Sequence, residues 1–303
     1  MRGNSVKYVI AALVAIGVLV GATILFTRPK PTPVAVNPAP PVATTTEKKD
    51  VSTHKVIGHS VKGRAIEAYT YGDGATHLLF VGGMHGGYEW NAVVLAYQFI
   101  DYLDAHPDFT PHDMTVTVIP SLNPDGVYKV VGKEGRFTAE DVSVPKVVGT
   151  GRLNAHNVDL NRNFDCKWQP KSMWKGTVVS AGTAAFSEPE SAALRDFVLV
   201  DKPKAVIFWH SQSGSVYASQ CSDGILPETL TIMNAYAKAS GYAAIKSFDA
   251  YPITGDSEGW LASIHIPALT VELKTHETVE WTQNLAGIKA LLGHYQQNAG
   301  ALQ

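Results

Sequence analysis

The apolar run His77-Leu78-Leu79-Phe80-Val81 stops at Gly82-Gly83, and after Met84-His85-Gly86-Gly87-Tyr88-Glu89 a helical pattern starts at Trp90. A buried strand, a glycine break and an amphipathic helix in that order make the first part of a β–α unit. The glycines let backbone come close to a neighbour. His85 and Glu89 therefore fall where a strand ends and a helix begins, which is where open α/β sheets gather ligands and metals. Four residues apart, they can share one side of a helix start and serve as two ligands for one metal. The plainer alternative is a helix-capping Glu beside a loop His.

Further strands are expected at Val56–Gly58, Ile66–Tyr71, Met114–Ile119, Lys204–Trp209 and Ala268–Leu273, and helices over Asn91–Leu103, Ser187–Val198, Leu230–Ser240 and Glu280–Gln296. Ser187 followed by Glu-Pro-Glu reads as an N-cap with acidic first-turn residues. Strands that alternate with helices give an α/β sandwich, its sheet covered on both faces. The 303 residues and 45% apolar content allow a large core, and the net charge of −2 implies no nucleic-acid partner.

Most of the eleven histidines need no special role. His210 differs, because it directly follows the strand Ala205–Trp209, as His85 follows another. With Glu89 they form a His₂Glu set, the donor set of a catalytic zinc site. Glu272 lies inside the apolar strand Ala268–Leu273, where a carboxylate is costly unless paired or used; it reads as a general base or as one end of a salt bridge. The dense polar stretch Gly151–Phe164, with Arg152 and Arg162, suggests an anion site or a polar surface loop. Cys166 and Cys221 either form one disulfide or are two buried thiols.

Residues 8–26 carry no charge. As a helix the run is about 28 Å long, roughly one hydrocarbon thickness. Residues 1–27 are expected to be a membrane anchor, or a signal peptide whose removal would release the chain. Residues 28–50 form a Pro-rich spacer and 51–303 the catalytic domain, on the outer side of the membrane.

The segments Ser60–Ile66, His85…Glu89, Asp159-Leu160-Asn161-Arg162-Asn163-Phe164, His210 and Thr270-Val271-Glu272-Leu273 occur in the order seen in the M14 zinc carboxypeptidases, over about residues 55–295. The chain most resembles the branch that trims cell-wall peptides, the murein peptide amidase type. The resemblance implies a three-layer α/β/α sandwich with a mixed, mostly parallel, twisted sheet. It implies one zinc on His85, Glu89 and His210. It implies that Asn161 and Arg162 grip the free terminal carboxylate of a peptide, that Arg152 steadies the oxyanion, and that Glu272 is the base. Tyr251 matches the family's mobile tyrosine, or is an ordinary loop residue. Glu258 falls at the position that senses the terminal side chain, where an acid would favour a cation. The family's first motif has two residues between His and Glu; this chain has three. A monomer is expected. Competing readings are a zinc deacylase of small acyl-amino acids and a silent domain that binds wall peptides.

Overall fold

Four central strands are buried on both faces, and they set the architecture. The structure, a computed structural model, describes residues 52–142 and 149–300, which fall in the compact unit Lys49–Gln303. The expected anchor over residues 8–26 and the spacer up to residue 50 lie outside the described residues. Among the described residues, no helix is long and apolar enough to cross a membrane.

The strands are β1 (Ser52–His59), β2 (Ala65–Tyr71), β3 (Thr76–Val81), β4 (Met114–Ile119), β7 (Ala205–Ser211), β8 (Ser215–Ala218), β9 (Ala243–Ile245) and β10 (Ala268–Leu273), in the order β1-β2-β4-β3-β7-β10-β8-β9. β4, β3, β7 and β10 run parallel, while β2 and β8 flank them antiparallel. A separate hairpin joins β5 (Lys171–Trp174) and β6 (Thr177–Ser180). The helices are α1 (Trp90–Ala105), α2 (Pro124–Val131), α3 (Pro189–Asp201), α4 (Pro227–Ser240), α5 (Ser257–Ser263) and α6 (Trp281–Gly300).

Period-two alternation sorts the strand side chains between two cores. Phe80, Val118, Ile207, Trp209, Val271 and Leu273 pack with α1, α4 and α6. Leu79, Val81, Val206, Phe208 and Ala268 pack with α3 and α5. Each large apolar side chain so buried contributes about 1.5–3 kcal/mol. His210 continues the Val206–Phe208 set and Glu272 the Ala268–Thr270 set. Both therefore face the α3/α5 side at the carboxyl ends of adjacent parallel strands, and they are register partners.

One local expectation changes, and one helix lies where none was expected. The helix expected from Ser187 starts at Pro189, and neither Ser187 nor Glu188 caps it with its side chain. Asn163 does so from a distant loop, its Oδ1 accepting the Glu188 amide at 3.0 Å and Ser191 Oγ at 2.5 Å. The turn-like Asn123-Pro124-Asp125-Gly126 opens helix α2. Asn123 Oδ1 accepts the Gly126 amide at 2.8 Å, and Gly132 ends the helix at φ 78°.

Candidate metal centre and active site

Three buried side chains converge at the carboxyl end of the sheet. After β3, a 3-10 turn over Gly86–Glu89 brings Glu89 back over His85, whose Nδ1 lies 2.8 Å from Glu89 Oε1. β7 carries His210 to the same point, its Nδ1 2.9 Å from Glu89 Oε2 and 3.1 Å from His85 Nδ1. The three side chains are 2–5% exposed, and they are a group of His, Cys, Asp or Glu residues that could hold one metal ion among the described residues.

The extra residue between His85 and Glu89 is absorbed by glycines. Gly86 has φ 46°, and a Cβ there would lie 2.7 Å from Gly151 O and 2.8 Å from Gly126 Cα. A Cβ on Gly87 would meet Val130 at 2.5 Å. The His85–Glu89 turn, α2 and the loop bearing Arg152 thus interlock through Gly86, Gly87, Gly126 and Gly151, where a side chain has no room.

Electrostatics favour a cation at this point. Burial works to raise the Glu89 carboxyl, but the His85 and His210 imidazoles hold it well below the usual carboxylate range. Burial works to lower His210, yet Glu89 and Glu258 push it up to about 10. Two imidazole nitrogens 3.1 Å apart also match the edge of a zinc tetrahedron, about 3.3 Å for Zn–N bonds near 2.05 Å. The donor set fits zinc. Each imidazole has a carboxylate behind it, Asp159 Oδ1 at 3.3 Å from His85 Nε2 and Glu258 Oε1 at 3.6 Å from His210 Nε2.

The structure brings every expected site residue to one cavity of about 590 Å³, lined by His85, Glu89, Arg152, Asn161, Arg162, His210, Tyr251, Glu258 and Glu272. Arg152 is pinned by Asp159, with Nε at 3.1 Å and Nη2 at 2.9 Å from Oδ2, and its guanidinium stacks 4.5 Å from the Trp174 ring. Asp159 is fully buried, and although burial opposes its charge, Arg152 and His85 hold it well below the usual range. Burial and the Glu89 charge push Glu272 up to about 7, and its Oε2 is buried without a hydrogen-bond partner.

Asn161 Oδ1 accepts from Ser257 N at 2.9 Å and Oγ at 3.0 Å, which leaves the amide nitrogen free among the described residues. Arg162 spends Nη1 on Asn161 O and Nη2 on Met173 O, and its buried Nε has no partner. Half-buried Tyr251 packs edge-on against Phe248, with ring centroids 4.8 Å apart. Cys166 and Cys221 form a disulfide on the cavity wall, one of the two outcomes their sequence left open.

Sequence reasoning assigned no role to Asp159, Trp174 or Asp256. Asp159 had a signal, an acid two residues before Asn161 in a stretch that carries Arg152 and Arg162. Trp174 had none, because its place over Arg152 depends on the β5–β6 hairpin folding back.

A family model described as zinc carboxypeptidase matches residues 42–288. Gamma-D-glutamyl-L-diamino acid endopeptidase 1 of Lysinibacillus sphaericus is 25% identical over 239 residues, 72% of this chain and 59% of that protein. The chain spans a little under three fifths of the length of the first curated relatives it matches. Among solved structures, bovine thrombin-activatable fibrinolysis inhibitor in complex with tick carboxypeptidase inhibitor aligns at TM-score 0.65 and 21% identity, over 82% of this chain and 91% of that one. Murein-tripeptide amidase MpaA from Escherichia coli O157 aligns at TM-score 0.54 and 21% identity, over 79% and 91%. At these identities the structural likeness shows the fold.

Proposed function

The chain belongs to the zinc carboxypeptidase family, and from that premise we propose that it is a zinc-dependent exopeptidase that removes the last residue of a peptide with a free carboxylate. The observation that carries this reading is the His85–Glu89–His210 cluster with Glu272 in register beside His210. Zinc in that cluster would polarise a carbonyl and make a water more acidic.

The chain's own residues supply the rest. Glu272, held near neutrality by burial and the Glu89 charge, can accept a proton from an attacking water and return it to the leaving amine. Arg152, fixed by Asp159 and Trp174, places a guanidinium where an oxyanion would develop. The donors left over on Asn161 and Arg162 suit a terminal carboxylate. Tyr251 stands at the cavity wall, where it can close over a bound peptide.

The substrate class proposed is a cell-wall peptide that ends in a diamino acid. The relative from Lysinibacillus sphaericus is named for that residue type, and two carboxylates, Asp256 and Glu258, border the cavity. The uncharged run over residues 8–26 and the Cys166–Cys221 disulfide favour a catalytic domain tethered outside the cytoplasm. Peptides ending in lysine or diaminopimelate, incubated with the zinc-loaded chain, should lose that residue, and a chelator should stop the loss. Zinc-free folded protein, or zinc-loaded protein that releases no terminal residue, refutes the reading.

A further inference from the structure

His210 and Glu272 are register partners on adjacent parallel strands, so the backbone ladder fixes one against the other. Glu89 lies outside the sheet, in the 3-10 turn that leads into α1, and neither that turn nor α1 has a side-chain cap at its start. Trp90 packs into the core beside it. Apolar packing is non-directional, however, and tolerates small shifts of a helix along a sheet.

Asn91, in the first turn of α1, is fully buried. Its amide nitrogen donates to Thr275 O at 2.7 Å and Thr278 O at 2.9 Å, in the loop that follows Glu272 and β10. Two carbonyls facing one end of the amide identify that end as nitrogen, so Oδ1 is the acceptor. Ser211 Oγ, one residue after His210 at the end of β7, donates to it at 3.0 Å. A hydroxyl has one proton. His276 Nδ1, 2.7 Å from the same Oγ, is therefore the donor in its pair with Ser211. The His276 ring packs on that of Tyr88, centroids 4.6 Å apart, and Tyr88 directly precedes Glu89. The network leaves the Glu89 turn through Asn91, joins β7 to the loop after β10, and returns to the turn at Tyr88. A buried amide is costly unless satisfied, and once satisfied it admits few other arrangements.

We infer that Asn91 is a positioning residue. It docks the Glu89 turn on the β7–β10 pair, so that Glu89, His210 and Glu272 keep one mutual geometry. The inference rests on the metal reading of the cluster above and adds a residue that does not itself line the cavity.

Tyr71 provides the control, because its Oη donates to Asp104 Oδ1 at 2.8 Å and ties the other end of α1 to β2. N91A and Y71F each remove a polar tie between α1 and the sheet, and both should lower Tm. Cobalt(II) in place of zinc gives a visible spectrum that reports ligand geometry. N91A should change that spectrum at full loading and weaken cobalt binding about tenfold in a titration against a competing chelator, as losses of supporting groups around a metal do. Y71F should match the wild type in both measurements. S211A, which removes the partner of Asn91 Oδ1, should follow N91A and replaces it if N91A does not fold.

A wild-type spectrum and affinity in N91A, or in S211A where that variant is needed, overturns the role given to Asn91. So does a Y71F that disturbs the spectrum as much as N91A. A wild-type chain that takes up neither cobalt nor zinc refutes the metal reading instead. The role of Asn91 is then decided by the imidazole nitrogen shifts of His85 and His210 in the metal-free protein, which N91A should move and Y71F should not; unmoved shifts overturn it.

Discussion

His85 Nδ1 and His210 Nδ1 face each other at 3.1 Å, with the two Glu89 oxygens closing the triangle at 2.8 and 2.9 Å. Without a cation, only a proton on an imidazole holds these atoms together. Metal should therefore stabilise the fold as well as enable turnover. At zinc concentrations a hundredfold above Kd the gain is about 2.7 kcal/mol, or roughly 5–10 °C in Tm for a domain of this size. Thermal melts before and after chelation, then with zinc restored, measure it; an unchanged Tm would mean that no ion sits there.

Glu272 has an unpartnered buried oxygen and is raised to about 7. E272Q keeps the shape and removes the base. Its kcat should fall by about 10²–10⁴, while the zinc content of the purified protein stays at the wild-type level. Activity that survives the substitution assigns the base to another group.

Asn161 Nδ2 and Arg162 Nε have no hydrogen-bond partner among the described residues, and the proposed function gives them a terminal carboxylate to bind. Converting the peptide's last carboxylate to an amide should lower kcat/KM by about 10–100-fold, the worth of one charge-assisted hydrogen bond set. Equal rates on acid and amide would identify an endopeptidase.

Gly151, at φ 80°, packs where a Cβ would meet Gly126 O at 2.6 Å and Val130 Cγ2 at 2.7 Å. G151A should cost about 2–4 kcal/mol, from strain and from backbone that must move. It should also disturb the adjacent Arg152. G132A provides the control, because Gly132 has φ 78° but nothing within 4 Å of its Cβ position; the loss there should be about 1 kcal/mol. Urea unfolding of both variants tests the contrast.

His77, on β3, bonds Thr117 Oγ1 at 2.8 Å, and burial lowers its pKa. The folded chain keeps this ring neutral at a pH where the unfolded chain already protonates it. Stability should therefore fall as pH drops through about 6.5, the unfolded value, and level off below the folded one, with a slope of at most about 1.4 kcal/mol per pH unit. H77Q should reduce the difference in unfolding free energy between pH 7.5 and 5.5; an equal difference assigns the acid sensitivity to other groups.

The four parallel strands were legible because each is an apolar run ended by a turn signal, and the sheet buries them on both faces. α2 was not, because Asn-Pro-Asp-Gly has the composition of a turn until Asn123 caps it. The start of α3 was misread by two residues, because Asn163, far away in sequence, provides the cap that Ser187 appeared to offer. Local patterns report local competition between conformations, and a cap from another loop leaves no trace in them.

By itself, the amino-acid order determined that His85 follows one strand, that His210 lies at the carboxyl end of another and that Glu272 sits in a third, because the period of a strand and the reach of a turn are properties of neighbours in the chain. Only the folded chain decided that Cys166 meets Cys221 and that Asp159 and Glu258 stand behind the two imidazoles. Those relationships join segments tens of residues apart. Their distances follow from how layers of helix pack on the sheet, and the spacing along the chain carries no information about them.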